Sequence, residues 1–281
     1  MRDKATLAFE QRLNESLRGS RGVDDVLDLV DRHAEDFDYI HVSTAVNRLQ
    51  KLALAAAAAA RPPPPPSGRS DVNTNVRDVL GKDNRLVLLV KLIRYHHKSF
   101  KGQAVANVLH GLAALEADVG VDVRVDDKLA KQLAHVTERE ADGAARGRPW
   151  SMNAQAVSNT LIALGKFRSV YAATQPSGWT ALTRAAERSA PEMNAQAIAN
   201  TLNSLSKLKP AVNAMTSSGW TSLAMAAARE AETMAPNHVS MTLNALCKMD
   251  AAAAEMTTSR WIELAKATET VAPRMVRRMM I

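Results

Sequence analysis

The chain has 281 residues, of which 46% are hydrophobic, 23% charged and 4% aromatic, and its formal net charge is +7. That length can bury a substantial core, and the mix of apolar and charged residues excludes wholesale disorder. One cysteine, Cys247, excludes an internal disulfide framework and a multi-cysteine zinc site, and no apolar run is long enough to insert in a membrane.

Taken in chain order, Met1–Gly22 mixes Arg2, Lys4, Arg12, Arg18 and Arg21 with Asp3, Glu10 and Glu15 and has no apolar core, so no secretory signal is expected. Residues 1–60 read as a degenerate helical repeat centred on His41-Val-Ser-Thr-Ala-Val-Asn-Arg-Leu-Gln-Lys-Leu52. Asp24, Asp25, Asp28 and Asp31 share a helical face and are expected to form a solvated acidic surface, not a metal site. Residues 61–71 form a linker in which Pro62–Pro66 predicts a polyproline II spacer of roughly 15 Å at about 3.1 Å per residue. Residues 72–142 read as a second degenerate repeat, around Gln103-Ala-Val-Ala-Asn107, with an insertion over 116–149. Within that insertion Val119–Val125 alternates apolar and polar residues, almost the sole strand signal in the chain.

Residues 143–281 carry the strongest signal. Met152-Asn-Ala-Gln-Ala-Val-Ser-Asn-Thr-Leu-Ile-Ala-Leu-Gly-Lys-Phe167 recurs from Met193 and, more loosely, from Met234, each time 41 residues on. Trp179, Trp220 and Trp261, each with a leucine three residues later (Leu182, Leu223, Leu264), keep the same step. Val157, Leu161, Leu164 and Phe167 fall at helical spacing, as do Ile198, Leu202, Leu205 and Leu208. Each module thus predicts a helical hairpin whose apolar faces can be buried only by its neighbours. The predicted fold is all-α: an α-solenoid of stacked helical hairpins with a period of 41 residues, three of them regular and a fourth beginning at Met275. The tryptophans, the leading methionines and Cys247 are expected to serve packing.

The charge is uneven. Residues 1–142 net to zero, and 143–281 hold the whole excess of +7. A localised positive field points to a polyanion. Beside the apolar stripe of each first helix runs a polar one: Gln155, Asn159, Ile162 and Lys166; Gln196, Asn200, Asn203 and Lys207; Asn237, Met241, Asn244 and Lys248. Amides donate and accept together, so they can read the edges of unstacked bases, and lysines can meet phosphates. The near-constant Asn159 and Asn200 are expected first to bridge modules through backbone hydrogen bonds, whereas the variable position of Asn203 and Asn244 suits base contact better.

The first-helix core Gln-Ala-Val/Ile-x-Asn-Thr-Leu-x-x-Leu-x-Lys (Gln155–Lys166, Gln196–Lys207) and the Trp-x-x-Leu openings resemble the octotricopeptide repeats of algal organelle proteins. They are also similar to the leucine-rich helical modules of FAST-kinase-type mitochondrial proteins. The resemblance covers 150–281 well and does not extend to a RAP domain. It implies a single-stranded RNA partner, an organellar mRNA or rRNA, and a place in the mitochondrial matrix or chloroplast stroma, together with ribonucleoprotein partners and no membrane insertion. It further implies work in RNA processing, stability, translation or ribosome assembly. No phosphate loop, metalloprotease helix or nucleophile elbow occurs, so no catalytic residue, metal or cofactor is expected. The competing expectation is a HEAT-like scaffold for protein–protein interaction within an organellar complex.

Overall fold

A computed structural model of the chain describes residues 4–60 and 74–279; the predicted proline spacer lies outside them. The described residues form α1 (Lys4–Gly19), α2 (Val23–Arg32), α3 (Tyr39–Ala59), α4 (Thr74–Lys82), α5 (Asn84–His96), α6 (Gly102–Ala114), α7 (Asp127–Ala145) and α8 (Ala154–Leu164). After these come α9 (Arg168–Ala173), α10 (Pro176–Ser189), α11 (Ala195–Leu205), α12 (Lys209–Ala214), α13 (Ser217–Glu230), α14 (Pro236–Leu246), α15 (Asp250–Ala254) and α16 (Thr258–Met279). The protein is all-helical, with no strand among the described residues. It divides into unit 1 (Met1–Val136 with Lys166–Ala173) and unit 2 (Thr137–Gly165 with Thr174–Ile281).

In unit 1, α3 is the central helix and packs on α1, α2, α5 and α6. It meets α6 where Gly111 presses on Val46, and Val42, Val46 and Leu49 are fully buried. Thus the two upstream copies of the repeat pack against each other. The alternating valines make no strand. Val119, at the end of a π-helical turn, and Val121 and Val123, in irregular chain, are buried as an apolar plug. The acidic face is explained by Arg85, which pairs with Asp24 and Asp83 at 2.7 Å and also with Asp28, while Asp25 accepts from the N–H groups of Arg21 and Gly22. Arg94 is likewise paired, with Asp126 at 2.9 Å.

Asp38 caps α3, accepting from the N–H groups of Ile40 and His41 at 2.9 and 3.0 Å, and its carboxylate lies 2.8 Å from His41 Nδ1. Burial opposes the charge of Asp38, but the His41 side chain and those N–H groups outweigh it and hold the carboxyl at about 2. Burial also works against the His41 cation; Asp38 and the Glu10 carbonyl reverse that and raise its pKa above 6.5. Asp38 therefore stabilises the fold above its ordinary 3.8 and ceases to do so as pH falls through about 2. His41 stabilises below 6.5 and ceases to do so as pH rises through its raised value. The difference in melting temperature between the wild type and Asp38→Asn is expected to be largest between 3.8 and 6.5 and to shrink on both sides. A constant difference across thermal melts from acid to mildly alkaline pH would exclude this coupling.

In unit 2, α8 packs on α11 and α11 on α14, while α10 packs on α13 and α13 on α16. α8 also meets α10, α11 meets α13, and α14 meets α16. The first layer starts at Ala154, Ala195 and Pro236 and the second at Pro176, Ser217 and Thr258, in each case 41 residues apart. The local causes repeat as well. Asn153 and Asn194 cap their helices by accepting from Ala156 N at 2.8 Å and Ala197 N at 2.9 Å, and Pro236 opens α14 where a missing N–H does no harm. Of the predicted stripes, Val157, Leu161, Leu164 and Ile198, Leu202, Leu205, Leu208 are buried here, as are Met152, Met193 and Met234; Phe167, also buried, belongs to unit 1. Ala185, Ala226 and Ala267 are buried too.

Three details depart from the expected hairpins. A short helix (α12, α15) stands between the long ones, set against the second layer with Ala211 and Ala252 buried. The expected start of a fourth first helix is not a separate element: α16 runs on through Pro273, where the earlier second helices end in the 3-10 turns Ala190–Glu192 and Ala231–Thr233. Ala190 and Ala231 are buried in those turns, whereas Ala272 is exposed. Cys247, expected in packing, is exposed at the C-cap of α14.

Candidate nucleic-acid interface

Because α8, α11 and α14 adjoin in order, residues of equal phase on them recur side by side. Gln155, Gln196 and Asn237 are exposed, Asn159, Asn200 and Asn203 half-buried, and Asn244 exposed; Lys207 and Lys248 are exposed as well but stand in the turns two residues past the ends of α11 and α14. Between α8 and α11 lies a polar groove of about 390 Å³. Gln155, Asn159, Gln196 and Asn200 line it together, with Asn153, Ser158, Glu192 and Asn194. Four of the ten predicted contact residues thus share one concave site, of a size that suits a small organic group.

The hydrogen bonding revises one expectation. The bond that ties α8 to α11 comes from Ser158, whose hydroxyl donates to the Ala197 carbonyl at 3.3 Å. Among the described residues Asn159 and Asn200 donate to no protein partner, so both amides face the groove with donors and acceptors available. In unit 1 the equivalent Asn107 is occupied, accepting from Gln103 Nε2 at 2.9 Å.

Lys166 has a partner within the protein. Its ammonium lies 2.6 and 3.0 Å from the two carboxylate oxygens of Asp118, within unit 1. That ion pair, on side chains that are each more than a third exposed, competes with a phosphate for the same ammonium. Lys207 and Lys248 have no ion pair among the described residues. His110, at the phase of Asn203 but in unit 1, is pushed toward its neutral form by burial and then by Lys166 and Lys51.

A second groove, of about 410 Å³, opens alongside and shares Asn153 and Glu192 with the first. Trp150, Arg148 and Arg188 line it. Sequence reasoning passed over these residues, although Trp150 is the one tryptophan of four that stands off the 41-residue grid. Trp150 is 84% exposed at φ 69°, in the left-handed region where a non-glycine residue is strained by about 1–3 kcal/mol.

No group of three His, Cys, Asp or Glu side chains among the described residues could hold a metal ion, and no described helix is long and apolar enough to cross a membrane. A scan against protein-family models finds no match for this chain, and a search of the curated proteins finds no relative.

Proposed function

We propose that unit 2 is an α-solenoid with a 41-residue step and that its first-helix face binds single-stranded RNA, with selectivity for sequence and without catalysis. The observation that carries this reading is the groove in which Gln155, Asn159, Gln196 and Asn200 converge. Amides at the lips of a groove can pair with a splayed base, and equal spacing of modules suits a strand of equal repeats. The +7 net charge of residues 143–281 and the unpaired Lys207 and Lys248 supply the attraction for phosphates. By resemblance of its repeat, the setting we propose is an organelle, mitochondrial or chloroplast, and the role is transcript processing, stability, translation or ribosome assembly.

The test is fluorescence anisotropy with labelled single-stranded RNA across a salt series. Each phosphate contact should add about −0.7 to the slope of log K against log salt. The double variant Lys207→Ala/Lys248→Ala should flatten the slope by up to about 1.4 and weaken all sequences alike. Lys166→Ala should change it less than replacing either of these lysines does, because Asp118 competes for that ammonium. A slope near zero would reject RNA and favour a HEAT-like protein scaffold, the reading suggested by the apolar cleft of Leu243, Trp261 and Leu264 at α16, where Trp261 is 37% exposed.

A further inference from the structure

The repeat supplies an internal control for the second groove. Arg229 and Arg188 occupy the same position in successive modules. Arg229 is committed to structure: its guanidinium donates to the carbonyls of Met193 at 2.6 Å and Ala190 at 3.4 Å and to the Glu230 carboxylate at 3.0 Å. Arg188 makes none of these bonds. Exposed, and with no hydrogen bond or ion pair among the described residues, it lines the groove beside Trp150 and Arg148. A Cβ on Gly147, which sits at φ 70°, would run into the Arg188 guanidinium, so glycine there leaves that group its place. Trp150 stands where the next modules have Pro191 and Glu232, and its ring has no aromatic or cationic partner among the described residues. The departures from the repeat are therefore gathered in one place: an uncovered aromatic ring on a strained backbone, two uncommitted guanidiniums, and the Glu192 carboxylate at the border with the amide groove.

We propose that this groove is a guanine-nucleotide subsite for RNA, in which the base stacks on Trp150, its phosphate meets Arg148 and Arg188, and Glu192 reads its edge. The proposal rests on the RNA-binding reading above and deepens it. An exposed indole is a platform for any base, because every base has a π-face. Guanidiniums bind phosphate oxygens in pairs. A carboxylate accepts hydrogen bonds and cannot donate them, so it selects bases by their donors. Guanine alone presents two adjacent donors, N1–H and the N2 amino group, and can satisfy both carboxylate oxygens at once. Cytosine and adenine offer one amino group each. Uracil offers a single N–H flanked by two carbonyls that repel the carboxylate. In the following module the position of Glu192 is Thr233 and that of Asn200 is Met241, so the preference belongs to this groove and not to the repeat at large.

The experiment uses the full chain carrying Trp261→Phe, which leaves Trp150 as its one largely exposed tryptophan, since Trp179 and Trp220 are each 3% exposed. The probes are short oligouridylates bearing one central guanosine, inosine or adenosine. Guanosine RNA should quench the Trp150 emission and bind on the order of tenfold more tightly than inosine RNA, which lacks only the N2 amino group. Glu192→Gln should bring that ratio close to one while leaving the salt slope intact. Arg188→Ala should flatten the slope by about 0.7. Trp150→Ala should weaken guanosine RNA, and Trp150→Phe should restore part of the loss by stacking. If RNA binds with a salt slope but guanosine and inosine bind equally and Trp150 emission is undisturbed, the subsite is overturned and the amide-row reading stands. If no RNA binds, both fall.

Discussion

Trp220→Ala is expected to cost about 3–5 kcal/mol, the range for removing a buried large aromatic, whereas Trp261→Ala should cost well under half as much. The two residues hold the same position in successive modules, three residues before Leu223 and Leu264. Only their surroundings differ. Trp220 is 3% exposed in α13, which packs on both α15 and α16; Trp261, in α16, is 37% exposed. If repeat position alone set the contribution of the residue, the two losses would match. Urea unfolding of the full chain, followed by circular dichroism, gives both numbers. Equal midpoint shifts would contradict the burial that separates them.

The second large effect is expected at the crossing of α3 and α6. A Cβ on Gly111 would lie 2.5 Å from Val46 Cγ1 and 3.1 Å from the Val46 carbonyl oxygen. Alanine in mid-helix ordinarily gains about 1 kcal/mol over glycine. Here the crowding should reverse that sign, for a net loss of about 1–3 kcal/mol, and Gly111→Val should lose more. The side-chain part of the clash can be relieved. Val46→Ala combined with Gly111→Ala should be less damaging than the sum of the two single changes, a coupling that a double-mutant cycle measures. Strict additivity in that cycle would show that the helices move apart instead of meeting at Val46.

The legible features were those written in periodicity. Val157, Leu161 and Leu164, and Ile198, Leu202 and Leu205 after them, lie in the core because helical spacing leaves them one side to occupy, while Phe167 and Leu208 are buried just past the helix ends. The convergence of Gln155, Asn159, Gln196 and Asn200 in one groove could also be anticipated, since modules of equal length bring equal phases together. Features that depend on contacts distant in sequence were hidden. Nothing near Lys166 announces Asp118, which lies 48 residues earlier inside an insertion that the repeat does not describe. The short helices α12 and α15 escaped notice because one buried alanine each, Ala211 and Ala252, is too small a signal to make a stripe. The valines of 119–125 alternate as a strand would, but alternation shows only which side chains point inward; a strand also requires a neighbour for its backbone. Trp150, Arg148 and Arg188 were missed for the opposite reason. Attention to what repeats passes over what interrupts the repeat, although an off-grid tryptophan is itself a readable mark.

The exposure of Cys247 has a practical consequence. It is the chain's single thiol, it is open to solvent, and it closes α14 directly before Lys248. A maleimide dye or nitroxide would attach at that one place in the native sequence, without cysteine engineering. The molecule thus comes with its own reporter position at the end of the first-layer helices, ready for single-molecule or magnetic-resonance spectroscopy.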